Sequence, residues 1–105
     1  MERGARAIAS ARMSNALRRY RIHLHNVRTL DAFASAFNEG LIGEAGGHWN
    51  GKSWDAFNDY LSWPADDSYI LVLDGWTDCD ALSGRDLEIF EEILAANQHV
   101  SVERT

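Results

Sequence analysis

Apolar residues recur along this 105-residue chain with two different periods, which predict strands alternating with helices. Residues 20–25 alternate apolar and polar side chains, as in a strand covered on one face. Residues 69–73 form a continuous apolar run, which predicts a strand buried on both faces in the middle of a sheet. Residues 99–103 alternate again and predict a short closing strand.

Apolar residues at spacings of three and four predict helices between these strands. The first helix begins at Thr29 or Asp31 and ends before Gly40, and the second begins after Ser53. The third covers residues 85–97.

Strands separated by helices favour parallel pairing through right-handed crossovers. The predicted fold is therefore α/β, a small three-stranded parallel sheet packed with three to four helices. Residues 20–105 are expected to form one domain, and residues 1–19 a basic, flexible leader. Residues 40–51 contain five glycines, so this segment is expected to be an irregular loop that carries contacts.

Charge divides unevenly between the two ends of the chain. Residues 1–28 hold seven arginines against one acid, whereas the rest carries a net charge of −12. Such a body repels nucleic acid and attracts basic partners. With one cysteine and no apolar run of roughly 20 residues, the chain is expected to be soluble, cytoplasmic and not attached to a membrane.

The segment around the second helix carries the strongest candidate for a binding surface. Asp55 and Asp59 lie one helical turn apart, so their carboxylates share one side of the helix. Four large aromatic residues accompany them, which suits a protein interface; they are Trp49, Trp54, Tyr60 and Trp63.

The other residues with reactive side chains are not expected to bind metal or to act in catalysis. His23 and His25 point to one face of a strand, but no third metal ligand stands near them, so exposed or partner-facing histidines are expected. The acidic turn 74–80 lacks calcium-loop spacing, and Cys79 within it is expected to be an ordinary thiol. No metal and no cofactor are predicted.

A resemblance then becomes visible in the spacing Gly-x-x-x-Asp-Ala-x-x-Asp-x-Leu, formed by residues 51–61. It is similar to the core pattern of the barstar family of ribonuclease inhibitors. The order of the flanking elements agrees, from the first strand at Tyr20 to the closing strand at Val102, including an Ile-Phe-x-Glu segment that ends at Glu92.

The resemblance implies a non-enzymatic inhibitor that plugs the active site of a small basic extracellular-type ribonuclease, in self-protection or immunity. Asp59 would be the central phosphate mimic, Asp55 a flanking acid and Glu92 a third acid. Further expected contacts come from the loop and the second helix: Trp49, Asn50, Gly51, Ser53, Trp54, Asn58 and Trp63.

Three positions depart from the family pattern and affect the expected contact surface. Asn58 stands where an aromatic usually precedes the central acid, Asn50 replaces the loop's second aromatic, and Ser53 replaces an asparagine. The chain is expected to be monomeric when unbound. The alternative hypothesis is a non-inhibitory acidic interaction module that binds another basic protein. A hydrolase that uses Asp55 and Asp59 would need a concave pocket and a buried carboxylate, which the pattern does not indicate.

Overall fold

The computed structural model describes residues 17–105, in which three parallel strands form one sheet. The strands are β1 (Arg18–His23), β2 (Tyr69–Asp74) and β3 (Val100–Arg104), and β2 lies between the other two. This confirms the predicted α/β class and the central position of the apolar strand. Helical segments make both connections, as parallel neighbours require.

Three α-helices and two short helical turns connect the strands. They are α1 (Leu30–Phe37), a π turn (Asn38–Ile42), α2 (Trp54–Tyr60), a 3-10 turn (Trp76–Asp78) and α3 (Gly84–Ala96). The helices agree with the predicted three to four.

The start of the sheet corrects the predicted boundary between leader and domain. β1 begins at Arg18 rather than Tyr20, because Arg18 and Arg19 pair in register with Tyr69 and Ile70. β1 also ends earlier than predicted, at His23. Residues 1–16, most of the predicted leader, lie outside the described residues.

Gly40 does not end the helical structure, contrary to the prediction, because the chain continues from α1 into the π turn. The π turn packs so closely on β1 that a Cβ at Gly40 would lie 2.5 Å from the Arg21 carbonyl oxygen and 2.7 Å from Ile22 Cδ1. Glycine is therefore needed here for a close backbone approach rather than to break a helix.

The core lies between the helices and one face of the sheet. Phenylalanines from all three helices meet there with no exposed surface, and their rings pack edge to face, with 5.4 Å between the centroids of Phe33 and Phe90 and 5.0 Å between those of Phe37 and Phe57. The sheet contributes buried side chains at alternate positions: Tyr20, Ile22, Tyr69, Leu71, Leu73 and Val100.

The other face of the sheet has no helical layer among residues 17–105. Arg19 and Arg21 of β1 point to this face and are exposed. Val72 of β2 is only 2% exposed, yet it lies outside the core cluster, between Arg21 and Glu103 in the register of the sheet. The prediction that β2 is buried on both faces therefore holds at Val72, while Ile70 on the same face is half-buried. Side chains of the neighbouring strands provide the cover on this face.

Candidate partner-binding surface

The second helix begins at a well-formed cap. The Ser53 hydroxyl accepts a hydrogen bond from the Ala56 N–H at 3.3 Å, and Asp55 lies in the first turn, where the helix dipole favours an acid. Gly51, just before the cap, has φ +81°, a conformation that glycine adopts without strain. A Cβ there would also lie 3.2 Å from that of Ala34 in α1.

The two sides of α2 differ as the sequence predicts. Phe57 and Leu61 have no exposed surface and belong to the core. Asp55, Asn58 and Asp59 are exposed. The two carboxylates therefore stand on a rigid support and face solvent.

Trp49 does not offer its side chain to a partner, contrary to the prediction. It is 1% exposed, and its ring centroid lies 4.9 Å from that of Phe57. Its indole N–H donates to the Ser53 carbonyl at 2.9 Å, and the Asn38 side chain bonds both its backbone N–H and its carbonyl. Trp49 thus ties the loop to the start of α2 from within the core.

The loop that Trp49 anchors still presents polar atoms to solvent. Asn50 is exposed, and its side-chain oxygen accepts a hydrogen bond from the Lys52 N–H at 2.9 Å. This local bond stabilises the turn that leads into the cap.

Trp63, after the end of α2, is the large aromatic residue that remains exposed, at 49%. It packs edge to face on Tyr60, with 4.7 Å between ring centroids. The Tyr60 hydroxyl in turn donates to the His48 carbonyl at 2.7 Å. Trp63 therefore extends the surface of α2 along its following loop.

Two polar contacts between α2 and α3 were not predicted from the sequence. The Asn97 amide donates to the Asn58 side-chain oxygen at 2.8 Å, and the Trp54 indole N–H donates to Asp86 at 3.1 Å. Asn58, which departs from the family pattern, is thus hydrogen-bonded to the residue that caps the end of α3. The partners lie 39 and 32 residues apart, so no sequence spacing reveals them.

Glu92, the third predicted acid, lies on the exposed side of α3. Asp86, whose carboxylate accepts the hydrogen bond from Trp54 of α2, lies on the same helix. No residue within 17–105 forms a salt bridge with Glu92, Asp55 or Asp59.

Charges elsewhere in the described part of the chain are largely paired. Every arginine of residues 17–105 contacts an acid, in the pairs Arg18–Glu44, Arg19–Glu103, Arg21–Asp74, Arg28–Asp78, Arg28–Asp80, Arg85–Glu88 and Arg104–Glu91. By contrast, residues 53–67 contain four acids and no Lys or Arg. Of the eight acids that form no salt bridge within residues 17–105, four therefore lie on α2 and the loop that follows it; the others are Asp31, Glu39, Asp86 and Glu92.

His23 and His25 do not assemble a metal site. Both are exposed and face Asp74, with His25 Nε2 3.4 Å and His23 Nδ1 3.8 Å from its carboxylate oxygens. Within residues 17–105, no group of three or more His, Cys, Asp or Glu side chains is placed to hold a metal ion. Cys79 is half-buried with a free thiol. None of the helices in this part of the chain is long and apolar enough to cross a membrane.

Comparison with known proteins agrees with this geometry. No curated protein matches the chain. The family model described as Barstar (barnase inhibitor) matches residues 17–104, which is nearly the whole chain. The chain therefore belongs to the barstar family.

Proposed function

We propose that this chain inhibits a small basic ribonuclease of the barnase type by covering its active site with α2 and the preceding loop. The observation that carries the proposal is the distribution of charge. Arginines pair with acids over the sheet and its connections, whereas Asp55 and Asp59 stand exposed on α2 without a basic partner among residues 17–105. Family membership supports the same activity.

Asp59 is the central contact in this proposal. A ribonuclease binds RNA phosphates with basic side chains, and a carboxylate held on a helix offers the same charge to the same donors. Asp55, one turn earlier, provides a flanking acid. Glu92 on α3 provides the third.

Residues around these acids define the rest of the proposed contact. The loop contributes Asn50, Gly51 and Ser53 to this contact. The helix and the loop after it contribute Trp54, Asn58 and Trp63, which flank the acids. Trp49 supports the loop from the core and makes no direct contact, which limits its role to positioning.

Net charge assists the encounter in this proposal. Residues 17–105 hold seven basic and 15 acidic residues, a net charge of −8. A field of this sign accelerates association with a basic partner. The complex of this family's prototype with its ribonuclease is itself the standard example of such steering.

The biological role that fits is protection of the producing cell from its own ribonuclease or from that of a sibling. A cytoplasmic, monomeric inhibitor without enzymatic activity would meet that need, since it must bind the enzyme before cellular RNA is cleaved.

The test is inhibition of RNA cleavage by a barnase-type ribonuclease, with the wild-type protein compared to Asp59→Ala. We expect stoichiometric inhibition by the wild type and a loss of at least about 100-fold in the variant, because removing one partner of a desolvated ion pair costs about 3 kcal/mol or more. A loss below about tenfold would remove Asp59 as the central contact. Tight binding that leaves cleavage intact would instead support the non-inhibitory module.

A further inference from the structure

A cavity of about 330 Å³ opens next to the proposed contact surface, on the far side of Trp63. Its walls come from the start of β1 (Arg18 and Tyr20), from Glu44 after the π turn, and from Asp66 in the loop after α2. Trp63 belongs both to this cavity and to the surface proposed to meet the ribonuclease. A partner seated on α2 would therefore reach the cavity mouth.

Asp66 is held in place at the cavity by a buried tyrosine. The Tyr20 hydroxyl, on a residue only 6% exposed, donates to Asp66 Oδ2 at 2.6 Å. Burial, together with the hydrogen bond to Asp66, raises the pKa of Tyr20 to about 12, so the hydroxyl remains a donor at neutral pH. Asp66 Oδ1 accepts no hydrogen bond from residues 17–105 and is available to a ligand.

The charge of the cavity is negative despite Arg18. The Arg18 guanidinium pairs with Glu44 at 2.7 Å and lies 4.9 Å from the centre of the Tyr20 ring. Because the charges of Arg18 and Glu44 cancel, Asp66 leaves one uncompensated negative charge among the described residues that line the cavity. A cationic guest is therefore favoured.

Elsewhere in the chain, an arginine shows how such a combination of groups binds a guanidinium. Arg104 donates to both Glu91 oxygens, at 2.7 and 3.1 Å, and its guanidinium carbon lies 4.8 Å from the centre of the Trp76 ring. A tryptophan and a carboxylate also line the cavity, in Trp63 and Asp66. A planar guanidinium can stack on an aromatic ring and donate to a carboxylate oxygen at once, whereas the compact lysine ammonium has no planar face to stack.

We propose that this cavity receives an arginine side chain of the bound ribonuclease, which packs on Trp63 and donates to Asp66. The inference rests on the proposed function and adds a contact outside the phosphate-mimicking acids. Such a contact would help to select among basic ribonucleases that share similar active sites.

The first test needs no ribonuclease. Nα-acetyl-arginine methylamide is titrated into the ¹⁵N-labelled protein while the indole N–H signal of Trp63, assigned with Trp63→Phe, is followed. We expect a saturable shift, a response at least about fivefold weaker to the uncharged citrulline analogue, and loss of the difference in Asp66→Asn. This variant retains an oxygen that accepts the Tyr20 hydrogen bond. Equal responses to the two compounds, or an unchanged response in Asp66→Asn, would overturn the proposal.

The second test measures binding to a ribonuclease that the wild-type chain inhibits. Asp66→Asn should weaken binding about tenfold, whereas Asp67→Asn, which removes the same charge from an exposed neighbour outside the cavity lining, should change it less than twofold. Equal effects of the two variants would contradict the cavity contact and leave inhibition intact. If the wild type does not inhibit, the proposed function fails, while the titration still decides whether the cavity binds a guanidinium.

Discussion

On the face of the sheet without a helical layer, the charged side chains form ion pairs, whereas on the exposed side of α2 they do not. On the sheet, Arg19 of β1 pairs with Glu103 of β3 across the central strand, and Arg21 pairs with Asp74. On α2, Asp55 and Asp59 lie without salt bridges to any residue of 17–105. Both surfaces are polar and exposed, but only α2 leaves its charges available.

Net charge alone therefore does not locate a binding surface. Paired surface charges contribute little to stability or to partner binding, because each already has its counter-charge. Unpaired acids on one short helix repel each other, and the helix dipole favours Asp55 in the first turn but not Asp59 near the other end. The proposed contact with a basic ribonuclease would supply the missing counter-charges.

The largest expected effect concerns the support beneath α2. Trp49→Ala should lower the free energy of unfolding by about 3–5 kcal/mol, because it empties a buried site of tryptophan size. Trp63→Ala should cost about 1 kcal/mol or less, since it loses mainly its stacking on Tyr60. Urea denaturation of both variants measures these losses in the free energy of unfolding. Equal losses would contradict the distinction between the buried and exposed tryptophans.

A smaller effect compares two acids in matching helical positions. Asp31 and Asp55 both lie exposed in the first turn of a helix, α1 and α2 respectively. Asp55→Asn should weaken ribonuclease binding by about 1.5–3 kcal/mol, the range for hydrogen bonds to charged groups. Asp31→Asn should leave affinity within about threefold. Calorimetric titration would refute the assignment if both variants bind alike.

Ionic strength should change the association rate more than the dissociation rate. Raising it from about 0.01 M to about 1 M shortens the screening length from about 30 Å to about 3 Å, which removes long-range steering. We expect the association rate constant to fall about tenfold or more. Stopped-flow mixing with the ribonuclease measures this, and a rate constant independent of salt would rule out the electrostatic contribution.

The smallest expected effect belongs to the sheet face. The Thr105 hydroxyl, followed by Arg21 and His25, lowers the pKa of Asp74 below 3.8 despite an opposing contribution from desolvation. A lowered pKa in the folded state adds stability above the unfolded value, and this stability disappears as pH falls through the folded value. Acid denaturation below about pH 4 should therefore show a weaker pH dependence in Asp74→Asn than in the wild type. The same pH dependence in both proteins would show that the contacts of Asp74 do not stabilise the folded state.

The sequence predicts the sheet and helices well because their signals are local. The continuous apolar run of β2 and the Ser53 cap of α2 each depend on neighbours along the chain. Exposure of Asp55 and Asp59 follows in the same way from the helical spacing of Phe57 and Leu61.

Contacts that depend on distant partners escape such prediction. Trp49 lies in a glycine-rich segment without periodicity, so its burial against Phe57 is decided by tertiary packing. The hydrogen bond between Asn58 and Asn97 joins residues that are 39 positions apart in the sequence. The pairing of Arg19 with Glu103 and of Arg21 with Asp74 likewise follows from strand register rather than from composition.

In the proposed complex, the position of the unpaired acids, and not their number, creates the partner surface. Two double variants, each with two fewer negative charges, test it: Asp55→Asn with Asp59→Asn on α2, and Asp80→Asn with Glu103→Gln among the paired acids. We predict that the first loses at least about 100-fold in affinity for the ribonuclease, in line with the cost of unpairing desolvated charges, while the second stays close to the wild type. Similar losses in both would contradict the account.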